Sequence, residues 1–331
     1  MSIETIAVIG LGSISNRHRG NIKKLFPSAQ VIALSSSGRV PNKKIDDADE
    51  IVLRLEDIIE RKPLFVIVAS PATVHKDHAE ELIKNRIPVL IEKPLASNSF
   101  EASQLKRLTK QSSSPVAVGY CLRYLSSALK MKELLSKDYL GPIYNCFINV
   151  GQFLPEWRPD KDYKDSVSAK KSLGGGALLE LSHELDYAQW LFGPLTLESA
   201  ILRNSNELEV DVEEIADFVC SSNKGVICNI HMDFLQKSPH RSCSIIGETG
   251  RLDWNLITNT IVHTTPEGDD IIFSEPEWDR NNMYLNMVQD FMCLINGKTN
   301  SCIDVTQAEL TINLIDDIKL TAKRGQVNEK L

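Results

Sequence analysis

Two ionisable side chains, a lysine and a histidine, occur at positions in the sequence where such groups could carry out chemistry. Lys93 in "IEKPLA" follows a short apolar run, and His183 in "GGGALLELSHELD" lies in a stretch with helical periodicity. An imidazole, whose ordinary pKa is about 6.5, takes up and returns a proton near neutral pH. An ammonium group stabilises negative charge that develops on a nearby oxygen. The plain alternatives are a solvated Glu–Lys pair after a strand and a structural histidine among leucines.

A glycine motif near the start of the chain, "IAVIGLGSISNRH", contains most of the G-x-G-x-x-G pattern of dinucleotide sites. Gly10 would permit the tight turn, and Gly12 would let a pyrophosphate approach the backbone. Ser13 and Ile14 begin the helix whose free N–H groups would point at phosphate. Ser15 replaces the third glycine, which serves helix packing, and a small serine is compatible with that role. The alternative is an ordinary glycine-rich turn, but the position after "TIAVI" predicts a cofactor site.

The end of the second predicted strand, "IALSSSGR", lacks the carboxylate that holds the ribose 2′-hydroxyl in NAD-preferring sites. The hydroxyls of Ser35, Ser36 and Ser37 stand beside Arg39, and this combination suits a 2′-phosphate. The sequence therefore favours NADP over NAD. The alternative is a polar surface loop that contains one arginine by chance.

Short apolar runs alternate with helical patterns in the first part of the chain, which is typical of a parallel sheet wrapped by helices. The later part has strand-like alternation and hairpin signals, with two helices near its end. We expect an α/β protein with an N-terminal Rossmann dinucleotide-binding domain over residues 1–121 and a substrate-binding and oligomerisation α/β domain over residues 122–331. Strands of the first domain are predicted at residues 5–10, 30–34, 64–69, 88–91 and 116–119, and its most periodic helices at residues 76–85 and 100–110.

Bulk properties restrict the class of protein further. The 331 residues suffice for two domains, and 42% hydrophobic with 24% charged residues describes an ordinary globular chain. The formal charge of −7 argues against nucleic acid or an anionic membrane as partner. The first residues lack signal-peptide features, so we expect a cytoplasmic protein. Seven cysteines without CxxC spacing indicate neither disulfides nor a metal site.

Four stretches in order, "SPATVH", "IEKPLA", "VGYCLRY" and "GGGALLELSHELDYAQWLFG", resemble the glucose–fructose oxidoreductase / inositol dehydrogenase / rhizopine-catabolism family, Gfo/Idh/MocA. The resemblance spans essentially the whole chain. It implies a second domain with a large, mostly antiparallel open sheet, whose outer side commonly forms the interface of a homo-oligomer, a dimer or tetramer. It also implies an NAD(P)-dependent oxidoreductase that transfers a hydride between nicotinamide and a carbinol or carbonyl carbon. The substrate class would be a sugar or sugar derivative, which includes nucleotide-linked and acidic sugars of surface-polysaccharide pathways.

The same resemblance implies roles for particular residues. Lys93 would contact the substrate oxygen and His183 would be the general acid/base, so the two would converge on one oxygen beside the nicotinamide ring. Many members place Asp four residues before the histidine, whereas Leu179 stands there and Glu180 is one residue closer. The role of Glu180 is therefore open. The predicted cofactor contacts include Ser70, Pro71, His75, Glu92 and Lys93, and the predicted substrate contacts are Tyr120, Arg123, Trp157, Arg158, Glu180 and Asp186.

A polar segment, residues 156–176, precedes the helix that carries His183. It is either a surface excursion or a substrate lid. As a lid, it would offer Trp157 as a stacking face and Arg158 as a bidentate anion contact.

Two other functions stay open at this level. A redox-inactive regulator or scaffold would bind the cofactor without turnover, and Ser15 with the shortened glycine-to-histidine interval is its support. An enzyme that uses a tightly held cofactor transiently for elimination or hydrolysis would show no net cofactor oxidation.

Overall fold

The computed structural model describes residues 4–42 and 44–326, and they group into two compact units. The first unit holds the residues up to Cys121 together with Asn281–Ile312, and the second holds Leu122–Arg280 with the residues from Asn313 onward. Residues 281–312 therefore belong to the first unit, whereas the sequence predicted a single domain boundary after residue 121. The two-domain assignment stays a prediction.

A parallel sheet forms the centre of the first unit. Its strands are β1 (Thr5–Ile9), β2 (Gln30–Leu34), β3 (Glu50–Val52), β4 (Phe65–Val68), β5 (Val89–Glu92) and β6 (Val116–Gly119). Their order is β3-β2-β1-β4-β5-β6, and every neighbouring pair is parallel. The direction of strand addition reverses between β1 and β4, where open α/β sheets bind ligands beyond the carboxyl ends of the strands.

Helices connect these strands, and the predicted Rossmann fold is confirmed. The helices are α1 (Ser13–Leu25), α2 (Leu55–Glu60), α3 (His75–Lys84) and α4 (Ser99–Gln111). Asn98 caps α4 by accepting the Glu101 amide at 3.0 Å. The five predicted strands are present to within a residue at each end, but β3 was not predicted, because three residues that include a glutamate give no apolar run.

The second unit is built on a larger sheet. Its helices are α5 (Ser126–Ser136), α6 (Ala177–Glu180) and α7 (His183–Phe192), and its strands are β7 (Ile143–Gly151), β8 (Leu195–Asn204), β9 (Ile215–Ser222), β10 (Ile227–Asp233), β11 (His240–Gly247), β12 (Gly250–Asn255), β13 (Thr260–Thr265) and β14 (Gly268–Ser274). The last elements of the described residues are α8 (Asn282–Ile295), α9 (Val305–Thr321) and β15 (Lys323–Gln326). The nine strands follow the order β14-β13-β12-β11-β7-β10-β9-β8-β15. Only the β10–β7 and β15–β8 pairs of this described sheet are parallel, so the expected mostly antiparallel sheet is confirmed.

Helix α8 explains why residues 281–312 group with the first unit. The ring of Phe291 lies edge-on to Phe65 of β4, with 5.8 Å between the ring centroids. Phe291 and Phe65 are fully buried, so this helix completes the core around the parallel sheet. Across the residues described, no helix is long and apolar enough to cross a membrane.

One face of the large sheet is covered by helices. Trp254 of β12 is buried, donates its indole N–H to Ser127 of α5 at 2.8 Å, and lies edge-on to Tyr187 of α7. Four cysteines share this face. Cys220, Cys228 and Cys146 are paired across adjacent strands, and the Cys146 and Cys243 sulfurs are 3.7 Å apart.

The opposite face of the same sheet is open. Its side chains alternate with the buried set, and Phe147 keeps 45% of its surface exposed. A charged cluster lies here on neighbouring strands. His231 Nδ1 is 2.6 Å from Asp217 Oδ1 and its Nε2 is 2.8 Å from Asp233 Oδ2, while Arg203 bonds Asp217 at 2.6 Å.

The two carboxylates fix the charge state of His231. A carboxylate only accepts hydrogen bonds, so both ring nitrogens must carry a proton for both contacts to form. The hydrogen bond to Asp233, followed by that to Asp217, raises the pKa of His231. The cluster therefore favours the imidazolium form of His231 on the open face.

Replacement of His231 should give a stability loss that depends on pH. Because the pKa is raised in the folded state, the stabilisation is complete below the unfolded-state value of about 6.5 and is lost as pH rises through the folded-state pKa. In urea unfolding between pH 6 and pH 9, the gap between wild type and His231→Asn should therefore narrow as pH rises. His240→Asn, which removes an exposed imidazole on β11 that bonds Ser242, is the matched control for loss of a histidine from the same sheet. A gap that is constant with pH would contradict the imidazolium assignment.

Candidate active site

The glycine turn after β1 has the shape of a phosphate cradle. Gly10 has φ +114°, and a Cβ there would come within 2.4 Å of the Ala69 carbonyl oxygen, so only glycine fits. A Cβ at Gly12 would meet nothing within 4 Å, which means that the space beside this residue is open. Ser13 and Ile14 begin α1 directly after it, with their helix N-terminus facing the turn. The residues present therefore fit a dinucleotide.

The departure from the third glycine has a structural reason. Ser15 is fully buried, and its hydroxyl donates to the Ala69 carbonyl at the end of β4 at 3.1 Å. The serine thus ties α1 to the neighbouring strand instead of only allowing close approach. Arg19, which the sequence analysis missed, adds a second tie from the same helix through the Gly10 carbonyl at 3.3 Å and the Asp46 carbonyl at 2.9 Å.

The loop after β2 carries the predicted ribose contacts. Ser35 is buried, and its hydroxyl lies 3.4 Å from that of Ser37. Ser36, Gly38 and Arg39 lie in the loop after the end of the strand, and the Arg39 side chain is exposed. The structure therefore places the hydroxyls and the guanidinium in one loop, and their contact with a cofactor stays a prediction.

His75 joins two loops at the carboxyl edge of the parallel sheet. Its Nε2 is 2.7 Å from the Ser70 carbonyl and its Nδ1 is 2.9 Å from the Pro94 carbonyl. Burial lowers the pKa of this histidine. A neutral ring has one N–H, so it can donate to only one of the two carbonyls at a time. His75 thus links the predicted contact residues Ser70 and Pro71 to the loop that carries Lys93.

Glu92 fixes the backbone beside Lys93. It is 5% exposed, its Oε1 is 2.6 Å from His18 Nε2, and its Oε2 accepts the Lys93 amide at 3.1 Å. Lys93 is half-buried and joined to Pro94 by a cis peptide bond. His18 belongs to α1, so the helix that follows the glycine turn also holds the loop of the lysine. His18 was not predicted as a site residue, because its partner is 74 residues away and leaves no local signal in the sequence.

Tyr284 of α8 closes this cluster from the other side. Its ring lies edge-on to His18 at 5.9 Å, and the Arg17 guanidinium lies 4.7 Å from its centroid. The pKa of Tyr284 is raised, chiefly by Cys121 and by burial. Tyr120, a predicted substrate contact, is fully buried in the same unit.

In the second unit, the three glycines before α6 are required by the backbone. Gly174 has φ +80° and Gly176 has φ +109°, while a Cβ at Gly175 would lie 2.5 Å from the Val167 carbonyl. Glu213 packs against the start of the helix, where its Oε1 accepts the Leu178 amide at 3.2 Å. Burial raises the pKa of Glu213.

The helix predicted to run on from Gly176 is divided. Helix α6 ends at Glu180, Leu181 and Ser182 form a turn, and α7 begins with His183. His183 is half-buried at the first position of α7, and Glu180 is half-buried at the end of α6. Their spacing is therefore set by a turn rather than by one continuous helix.

Two bidentate ion pairs hold α7 beside His183. Glu184 is fully buried and receives Arg241 Nε at 2.6 Å and Nη2 at 2.8 Å. Asp186 is 1% exposed and receives Arg123 Nε at 2.9 Å and Nη2 at 2.7 Å. Arg123 and Asp186, predicted separately as substrate contacts, thus bind each other. A role toward substrate stays a prediction for both.

The Glu184–Arg241 pair was missed, although a signal existed. A glutamate within an apolar helix must find a cation when it is buried. The sequence gives no sign of which cation, because Arg241 lies 57 residues further on.

The segment that carries Trp157 and Arg158 is ordered into short 3₁₀ turns between β7 and α6. Trp157 is half-buried, with its indole N–H donated to the Gln152 carbonyl at 3.3 Å and its ring edge-on to Phe234. Arg158 is exposed. Contact of either side chain with substrate stays a prediction.

The fold and the glycine cradle define a class of protein, a dinucleotide-binding protein with a Rossmann domain, and comparisons with known proteins narrow it. Residues 5–120 match the oxidoreductase family with an NAD-binding Rossmann fold, Gfo/Idh/MocA, and residues 128–253 match the C-terminal domain of that family. The chain therefore belongs to the Gfo/Idh/MocA oxidoreductase family, as its motifs indicated.

Individual relatives are distant. Glucose-6-phosphate 3-dehydrogenase of Bacillus subtilis (strain 168) is 24% identical over 243 residues, which cover 69% of this chain and 67% of that protein. The structure of levoglucosan dehydrogenase with NADH and levoglucosan superposes with a TM-score of 0.83 at 16% identity over 97% of both chains. The WlbA dehydrogenase of Bordetella pertussis, in complex with NADH and UDP-GlcNAcA, gives 0.79 at 18% identity over 97% of this chain and 96% of that chain. At these identities the structural likeness shows the fold alone.

Removal of the His18 imidazole should weaken the first unit. His18→Leu leaves the buried Glu92 carboxylate without its side-chain donor, so the free energy of unfolding in urea should fall by about 1–3 kcal/mol. His240→Leu, at an exposed position, should change it by less than about 0.5 kcal/mol. Equal effects of the two variants would show that the His18–Glu92 contact does not hold the loop.

Removal of one partner of the Arg123–Asp186 pair should be more costly than removal of both. Asp186→Ala leaves a buried guanidinium without its carboxylate and should lower the free energy of unfolding by about 3–5 kcal/mol. The double variant Arg123→Leu/Asp186→Leu should recover much of that loss, because apolar pairs often replace buried ion pairs at little cost. Asp57→Ala breaks the exposed pair with Arg54 and should leave the unfolding midpoint nearly unchanged. Additive losses in the double variant would contradict the pairing.

Proposed function

We propose that the protein is an NAD(P)-dependent dehydrogenase that interconverts CH–OH and C=O at one carbon of a sugar or sugar derivative. The observation that carries this proposal is the Glu92–His18 contact, which fixes the Lys93 loop from the helix that follows the glycine cradle. Ligands of such sheets bind at this carboxyl edge. A substrate of this class is supported by glucose-6-phosphate 3-dehydrogenase, by levoglucosan dehydrogenase, and by the WlbA dehydrogenase in complex with UDP-GlcNAcA.

Lys93 is proposed to stabilise negative charge on the reacting oxygen. Its backbone amide is held by Glu92, and the carbonyl of Pro94 lies within hydrogen-bond distance of His75, so the loop is fixed on both sides of the lysine. A preorganised cation spends no energy on reorientation when the charge develops. A bound nicotinamide cofactor supplies the hydride acceptor or donor.

His183 is proposed to exchange the proton of that oxygen. The imidazole stands at the first position of α7, directly before Glu184, whose ion pair with Arg241 anchors the helix. Asp186 and Arg123 anchor the next turn. An acid/base whose backbone is held by buried pairs keeps its position through the reaction. Glu180 and Tyr120 are proposed to contact substrate with Trp157 and Arg158.

The cofactor is proposed to be NADP. The Gly10–Gly12 cradle with Ser13 and Ile14 would hold the pyrophosphate. The loop of Ser35, Ser36, Ser37 and Arg39 would meet the 2′-phosphate, since no carboxylate ends β2 to repel it.

Association of copies into a homo-oligomer is proposed for the open face of the large sheet. A groove of about 1000 Å³ runs over this face and is lined by Phe147, Ile201, Val219 and His231. Half-exposed apolar side chains beside a charge cluster are typical of an interface.

Turnover should depend on both proposed catalytic groups. With NADP(H) or NAD(H) and a panel of sugars and sugar phosphates, followed at the nicotinamide absorbance, His183→Ala should lower kcat about 10²–10⁴-fold. Lys93→Met should lower it about 10²–10³-fold. Lys110→Met, at an exposed position of α4, is the matched control and should keep full activity. Retained turnover in the Lys93→Met/His183→Ala double variant would overturn the mechanism.

The same experiment separates the other two functions. Cofactor binding by calorimetry without reduction of any substrate, together with tolerance of Lys93→Met, would identify a regulator or scaffold. Product formation without a net absorbance change would identify transient use of a tightly held cofactor.

Arg39→Ala should weaken NADP binding selectively. Loss of one charge-assisted contact to the 2′-phosphate corresponds to an increase of about 10-fold or more in Kd for NADP, with Kd for NAD unchanged. Calorimetry with both cofactors measures the ratio, and Arg54→Ala, at an exposed arginine of the same unit, is the control. Equal weakening of both cofactors would contradict the NADP assignment.

A further inference from the structure

The segment between β7 and α6 encloses a cavity of about 410 Å³. Small-molecule sites commonly have volumes of about 300–1,000 Å³, so the cavity has room for a ring with a substituent. All of its lining residues lie between positions 154 and 168, and all of them except Leu154 belong to the segment 156–176, which the sequence left as either a surface excursion or a lid.

Hydrogen bonds and a ring contact join the segment that forms the cavity to the rest of the second unit. Tyr163 donates its hydroxyl to the Leu208 carbonyl at 3.0 Å, and the Lys171 amide donates to Asp211 at 2.8 Å. Leu154 is buried, and the Trp157 ring is fixed by Phe234. The cavity is therefore a formed feature with an apolar and aromatic wall.

The cavity is lined by acids as well as cations. Asp165 pairs with Lys170 at 2.7 Å, whereas Asp162 accepts the Lys164 backbone amide at 2.9 Å, a contact that leaves its negative charge in place. Arg158 and Lys161 also line the cavity, and neither has an ion-pair partner in the part of the chain that the structure describes. An anion entering the cavity would thus meet a guanidinium and an ammonium that form no ion pair within the described residues, together with the single carboxylate of Asp162.

A buried hydroxyl adds a third polar contact. Ser166 lines the cavity, and its side-chain hydroxyl is shielded from solvent and has no hydrogen-bond partner among residues 4–42 and 44–326. Buried polar groups in native proteins normally form hydrogen bonds, so a ligand oxygen would supply the partner that this hydroxyl lacks.

We propose that this cavity binds the phosphate-bearing part of the substrate. The claim rests on the proposed sugar dehydrogenase function and narrows its substrate to a phosphate ester attached to a ring. Arg158 would bind two phosphate oxygens through its guanidinium fork, Lys161 would add a second positive charge, and Ser166 would donate its hydroxyl. Trp157 and Tyr163 would contact the ring. A neutral sugar has no charge to match the two cations.

Calorimetry on the full chain with saturating NADPH, which keeps the dinucleotide site filled, tests the proposal. The probes are UDP for a nucleoside diphosphate, glucose 6-phosphate for a hexose phosphate, and glucose and glucuronate as ligands without phosphate. One or both phosphate esters should bind, and Arg158→Ala/Lys161→Ala should weaken that binding about 10-fold to 100-fold. Lys164→Ala is the control, because this lysine bonds Glu209 and does not line the cavity.

The outcomes separate the sources of phosphate and the two proposals. Tighter binding of UDP assigns the cavity to a nucleotide-linked sugar, and tighter binding of glucose 6-phosphate assigns it to a hexose phosphate. Binding of neither ester, equal binding of glucose or glucuronate, or no loss in the double variant overturns the cavity assignment. Phosphate binding that is lost in the double variant, in a protein that reduces no cofactor with any sugar, supports the cavity and counts against the dehydrogenase.

Discussion

A buried carboxylate must find a donor inside the protein, and this constraint organises the backbone around each of the two proposed catalytic residues. Each proposed catalytic side chain stands next in sequence to such a carboxylate. Lys93 follows Glu92, which reaches His18, and His183 precedes Glu184, which reaches Arg241. Because the acid cannot move without losing its partner, the backbone of the neighbouring residue is fixed as well. In each unit the reactive group therefore stays half-buried at the edge of a rigid element.

Ser15 shows how a departure from a motif can preserve the purpose of the motif. The third glycine of the usual pattern lets a helix approach a strand, and here a serine hydroxyl bonds the Ala69 carbonyl directly. Gly10 is retained with its positive φ, because a side chain at this position would collide with the neighbouring backbone. Support for a redox-inactive scaffold from Ser15 is correspondingly weaker, since the cradle keeps its shape.

Local patterns in the sequence were enough to predict the Rossmann strands, the position of Lys93 beyond β5, and the strand-rich second layer, because burial on both faces and hairpin turns leave local signatures. Long-range pairings leave none. Asp186 and Arg123 were each assigned to substrate because nothing in the sequence shows that they bind each other 63 residues apart. The division between α6 and α7 was missed for another reason, since Leu181 and Ser182 are compatible with a continuous helix. Strand β8 was also missed, because its exposed face interrupts the apolar alternation.

The row of cysteines under α7 has a chemical consequence for the whole chain. A thiol reacts with oxidants and alkylating agents as the thiolate, and burial raises the pKa of Cys220 to about 12 and also raises that of Cys146. In the folded protein these sulfurs act as small apolar side chains. They become nucleophiles only when the large sheet separates from its helices, so their modification marks molecules that have already opened.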